Sequence, residues 1–173
     1  VSWLLKQPAG WRISRSQDLP ADAFLSPGEA LSLLQRGRVA ALSYRWLSAM
    51  HPDPDGVHLR AVLRFYRGRI QHRWHYQALF WDFCSLPQKD EHGSRTDDEK
   101  KMFCDGLSCS SNVYSSPKIL VIQHKAMGGI RCTFPADMNG LPDYDRSGWC
   151  TMEQACAALS TTSTGRVYEL DVG

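Results

Sequence analysis

RVAALSY, residues 38–44, decides how the rest of the chain is read. The run is short and apolar, with the length and composition of a β-strand. Three more runs share that character: QALFWDF (77–83), KILVIQ (118–123) and RVYELDV (166–172). Helical patterns lie between them. Residues 57–70 carry Leu59, Val62, Leu63, Tyr66 and Ile70 at spacings of three and four, which gathers an apolar stripe on one side of a helix. SPGE at 26–29 offers Ser26 as a cap, Pro27 at the first helical position and Glu29 to bond back. TDDE at 96–99 repeats the device, with three acids in the first turn.

Strand–helix alternation implies right-handed crossovers and a mainly parallel sheet. The expected class is α/β: a flavodoxin-like doubly wound parallel sheet with helices on both faces. Residues 37–173 form that domain, and residues 1–36 read as an N-terminal extension, with GWRIS (10–14) strand-like and 26–36 helical. In such sheets ligands bind beyond the carboxyl ends of strands. The segments that follow each strand therefore matter most. The one after the third strand runs to roughly two dozen residues, long enough to be a functional or partly mobile loop.

Composition narrows the function classes. At 173 residues, 43% hydrophobic and 22% charged, the chain can bury a core without staples and is neither disordered nor coiled coil. A net charge of +2 with scattered basic residues argues against a nucleic-acid face. Cys84, Cys104, Cys109, Cys132, Cys150 and Cys156 include no C-x-x-C pair, and His72 and His75 lack partners at zinc-site spacing, so reduced thiols and no metal are expected. No run approaches the ~18 apolar residues of a membrane span, and no signal-peptide pattern opens the chain. A cytoplasmic setting follows as the expectation. The opening valine and strand-like last segment suggest a piece of a longer protein.

Helix-compatible YDRSGWCTMEQACAAL (144–159) sets Glu153 one turn after Trp149, beside Met152 and Cys156 and with Leu159 continuing the stripe. That puts a carboxylate on or next to an apolar face, just after the long third loop. There its pKa should rise through desolvation, as acid/base or electrostatic work requires. The competing reading is a first-turn glutamate facing solvent, with Trp149 in the core. Arg146, beside the motif, could pair with a carboxylate or phosphate. HPDPDG (51–56) reads as a turn leading into the next helix, and QAC (154–156) lies within a continuing helix, where a buried thiol is expected rather than a nucleophile. No G-x-S-x-G elbow, phosphate loop or zinc-deaminase signature occurs.

SGWCTMEQ resembles the tryptophan–cysteine–x–x–glutamate motif of TIR domains. ALSYRW resembles the first strand of that family, LFWDFCSLPQ the second, and SSNVYSSPKILVIQHK the third helix–strand unit. The matches run in family order from about residue 38 to 172. Two segments depart from the pattern, the long insertion before the glutamate helix and HPDPDG after the first strand.

The resemblance implies cleavage of the nicotinamide–ribosyl bond of NAD+, a substrate rather than a cofactor, in signalling or immunity. Glu153 would be catalytic. Ser43, Tyr44, Arg45, Trp46, Asp82 and Trp149 would bind substrate, with Arg45 as the phosphate ligand. Asp82 would hold a ribose hydroxyl or cap the next turn. The resemblance also implies self-association through TIR-like surfaces. Two alternatives stay open: a non-catalytic self-association module, and a nucleoside deoxyribosyltransferase-like enzyme.

Overall fold

The computed structural model describes residues 1–69, 76–125, 144–160 and 167–170. In chain order its elements are α1 (Ser2–Leu5), α2 (Pro27–Gln35), β1 (Val39–Tyr44), α3 (Val57–Arg69), β2 (Ala78–Phe80), α4 (Asp82–Ser85), α5 (Asp97–Ser108), α6 (Ser110–Ser115), β3 (Ile119–His124), α7 (Gly148–Ser160) and β4 (Val167–Glu169). Ile70, most of the long loop after β3, His72, His75, Cys132 and the Arg146 side chain lie outside the described residues.

β1 occupies an interior position in the sheet, whose order is β2-β1-β3-β4. All its pairings are parallel, with Val39 opposite Ala78 on one side and Tyr44 opposite His124 on the other. Ala40, Leu42 and Tyr44 point to one face, where Leu120 and Ile122 join them in a core with Leu59, Val62, Phe65 and Tyr66 of α3. Ala41 points to the opposite face, into a second core with Ile119, Val121, Tyr114 of α6 and Ala157 of α7. Helices thus cover both faces, and the fold is a doubly wound α/β sheet. A parallel strand covered on both sides must be apolar at successive positions, which is why RVAALSY shows no polar alternation.

The capping boxes form as written. Ser26 Oγ accepts from the Glu29 N–H at 3.3 Å while Glu29 accepts from the Ser26 N–H at 2.9 Å. Thr96 and Glu99 do the same at 3.2 and 2.8 Å. HPDPDG builds a more demanding entrance to α3. Asp53, fully buried, accepts from the N–H groups of His58 at 3.1 Å and Leu59 at 2.8 Å. Gly56 takes φ +69°, a left-handed turn that a side chain would strain.

Two expectations need correction. QALFWDF is a strand only through Phe80; at Asp82 the chain coils into α4. Asp82 accepts its neighbour Phe83's N–H at 2.6 Å and Ser85 Oγ accepts from the Trp81 N–H at 3.1 Å, so local side-chain bonds replace the ladder. GWRIS is not a strand either. It is an irregular segment that pins Ile13 into the α3-side core, against which Leu4, Leu5 and Trp11 also pack. Apolar content made it look like a strand, but it joins no ladder: its side chains pack into the core and its Ile13 carbonyl accepts from His51 Nε2 at 3.1 Å.

Cys84, Cys104, Cys109, Cys150 and Cys156 are free thiols. Among the described residues no helix is long and apolar enough to cross a membrane.

Candidate functional site

Ser43 and Tyr44 are adjacent at the end of β1, so their side chains leave on opposite faces. Ser43 enters the α7 side. Its hydroxyl donates to Glu153 Oε2 at 2.5 Å, joining the sheet to the helix across a separation of 110 residues. Ser43 Oγ also contacts the Tyr144 hydroxyl. A serine has one proton to give, so with that proton on Glu153 the tyrosine is the donor, and the relay runs Tyr144 to Ser43 to Glu153.

Glu153 is only 2% exposed. Burial pushes its pKa up to about 8; bonds from Ser43, Tyr114 and Trp149 oppose the rise, and the negative charge of Asp82 adds to it. The solvent-facing alternative does not hold for this side chain.

Trp149, by contrast, is 41% exposed and Leu159 77% exposed, so the expected stripe is rotated. The buried line of α7 is Cys150, Glu153 and Ala157. These have the spacing of one helix face, and the small Cys150 and Ala157 let α7 come close to its neighbours, whereas an indole on that line would hold it away.

Above this relay a cleft of about 690 Å³ opens at the carboxyl ends of β1 and β2. Tyr44, Arg45, Trp46, Asp82 and Trp149 all line it. Ser43 and Glu153 do not; they lie enclosed. The opposite wall carries Arg95, whose guanidinium sits 3.8 Å from the Phe103 ring centre while its Nε donates to the Pro87 carbonyl at 2.8 Å. Among the described residues, Arg45, Lys89 and Arg95 face one lining carboxylate, Asp82. The cleft therefore suits an anion with an aromatic part.

Asp82 organises the floor. It accepts from the Tyr44 hydroxyl at 2.7 Å and, at the long distance of 3.4 Å, from the Trp46 indole N–H. Desolvation raises its pKa, and the bonds from Tyr44, Phe83 and Trp46 oppose that. Asp82 is the first residue of α4, where it accepts its neighbour Phe83's N–H rather than capping the helix, and it also lines the cleft.

A buried histidine pair went unread in the sequence. His58 Nε2 donates to the Arg45 carbonyl at 2.9 Å, which leaves Nδ1 to accept from His124 Nδ1 at 2.7 Å. This assignment places the second proton of the pair on His124 Nδ1. His124 Nε2 then faces the interior with no hydrogen-bond partner among the described residues. Burial lowers both imidazoles to about 4. The sequence carried no pointer to the pair, since the two lie 66 residues apart and meet only because α3 packs across the end of β3. Tyr144 was equally hidden: a short 3-10 turn, Tyr144–Arg146, carries it back over Ser43.

No group of three or more His, Cys, Asp or Glu that could hold a metal occurs among the described residues. No family model, curated protein or solved structure matches the chain.

Proposed function

We propose that the chain is a TIR-like domain that cleaves the nicotinamide–ribosyl bond of NAD+. The observation that supports this most is the coincidence of a cationic, aromatic cleft at the strand ends with a desolvated carboxylate directly behind it. Arg45 binds a phosphate and Trp149 stacks on the nicotinamide. As the C–N bond breaks, its electron pair leaves with the pyridinium nitrogen, and the ribose becomes an oxocarbenium ion that the Glu153 carboxylate stabilises. Water then adds at the same carbon and loses its proton. Because Glu153 lies behind the wall, the half-exposed Trp149 must swing aside for the ribose to replace Ser43 as its partner. Signalling or immunity is the setting that the resemblance implies, with self-association completing the site.

The test is release of nicotinamide from NAD+ by the purified chain, alone and fused to an oligomer-forming partner. Glu153→Ala is expected to lower the rate at least 100-fold in either form; undiminished release would reject Glu153 as the catalytic group.

One observation favours a second reading. Glu153 is enclosed and already bonded, as a structural tie between β1 and α7 would be. On that reading the protein is a non-catalytic module that self-associates. Absence of nicotinamide release from both forms, together with self-association of the unfused chain in sedimentation, would select it.

A further inference from the structure

A second cleft, about 900 Å³, adjoins the first. The two share Trp46, Gln88, Lys89 and Arg95 as a common wall. Its far side is made by two segments outside the first cleft: Ile13, Ser14, Arg15 and Asp18 of the N-terminal region and the turn around Asp90 and Glu91. Both are held in place. Arg15 pairs with Asp18 at 2.8 Å and its Nη1 reaches the Lys89 carbonyl at 3.3 Å, while Gln17 donates to the Gln88 carbonyl at 2.8 Å. Asp90 Oδ1 accepts from the N–H groups of His92 at 2.9 Å and Ser94 at 2.7 Å, fixing the turn. On the β1 side, Ser48 accepts from the His51 N–H at 2.9 Å and donates to the His51 carbonyl at 2.7 Å, which sets Ala49 and Met50 on the rim.

Charge is distributed unevenly across this double cleft. The shared wall is cationic, through Lys89 and Arg95, whereas on the far side Arg15 is offset by its ion pair with Asp18 and the carboxylates of Asp90 and Glu91 remain. A phosphate group is favoured over the wall and disfavoured at the rim. A neutral, hydroxyl-rich nucleoside suits the rim, where carboxylates accept from sugar hydroxyls and Met50 offers exposed apolar surface to a base.

We propose that the NAD+ dinucleotide extends from the first cleft into the second, which is the subsite for its other nucleoside. Its diphosphate rests over Lys89 and Arg95, and its second nucleoside occupies a subsite completed by the N-terminal segment. This rests on reading the first cleft as a pyridine-nucleotide site and adds to it a role for residues 13–18, which the resemblance leaves unexplained.

Calorimetric titration of the full chain with NAD+ and with nicotinamide mononucleotide tests the inference without requiring turnover. The dinucleotide is expected to bind at least tenfold more tightly, and adenosine monophosphate should compete with it. Ala49→Trp, which fills the second cleft from an exposed position, should reduce NAD+ affinity to the mononucleotide level and leave the mononucleotide unchanged. Equal affinities for the two ligands in the unaltered chain, or an Ala49→Trp chain that keeps the dinucleotide advantage, would overturn the second subsite while sparing the first. Failure of both ligands to bind would remove both readings together.

Discussion

Glu153 and the His58–His124 pair are buried groups whose proton affinities have been moved in opposite directions relative to neutral water. An acid whose pKa is higher folded than unfolded binds its proton more tightly in the native state. The stability Glu153 contributes is therefore complete below about 4.5 and is lost as pH rises through about 8, an effect of roughly 3–5 kcal/mol at most. The imidazoles behave in reverse. Held near 4 rather than 6.5, they favour the folded state above pH 6.5, and that contribution disappears as pH falls through about 4. Urea midpoints measured from pH 4 to 8, below the range in which the buried thiols of Cys84 and Cys150 contribute, should accordingly decline on both limbs. Glu153→Gln should flatten the alkaline limb and leave the acid limb in place. An alkaline limb that persists in Glu153→Gln would mean that the carboxyl is not desolvated as described. If the chain cleaves NAD+, the rate should rise as pH passes through about 8, because only the carboxylate form stabilises a cationic sugar.

Among the elements, α3 depends on a single side chain for its entry. Asp53 is buried and satisfies two of the N–H groups that a helix start leaves without partners. Asp53→Ala strands both in the interior and should cost about 1–3 kcal/mol, read as a lower denaturation midpoint, with Asp53→Asn recovering part of it. This capping role was half legible. HPDPDG announced a turn ahead of a helix, but nothing local said that its first aspartate would be sequestered. The helices with capping boxes were fully legible, because a cap and its partner lie three residues apart. α7 shows where that legibility stopped. Its helical spacing was plain, yet which line of residues faced inward depended on how closely α6 and the sheet approached, and that distance is no property of the segment alone.

Across the whole molecule, the N-terminal region is integrated with the α3-side core. Ile13 is 2% exposed within that core and Leu4, Leu5 and Trp11 pack against it. Ile13→Ala should destabilise the chain by about 2–5 kcal/mol, a loss seen as a shift of the single unfolding transition; a change below about 0.5 kcal/mol would show residues 1–36 to be merely appended. By itself the sequence determined the strand–helix order, the strand positions to within a few residues and the capped helix starts, because each rests on neighbours close in the chain. It also brought Tyr44, Arg45, Trp46 and Asp82 to the strand ends, since any parallel sheet places its following residues there. Only the tertiary structure decided that Ser43, Tyr144 and Glu153 share one buried relay, that His58 and His124 meet, and that Trp149 lines a cleft instead of filling a core. Those outcomes follow from contacts between groups far apart in the chain, whose distance is set by strand register and by the size of the side chains packed between the layers.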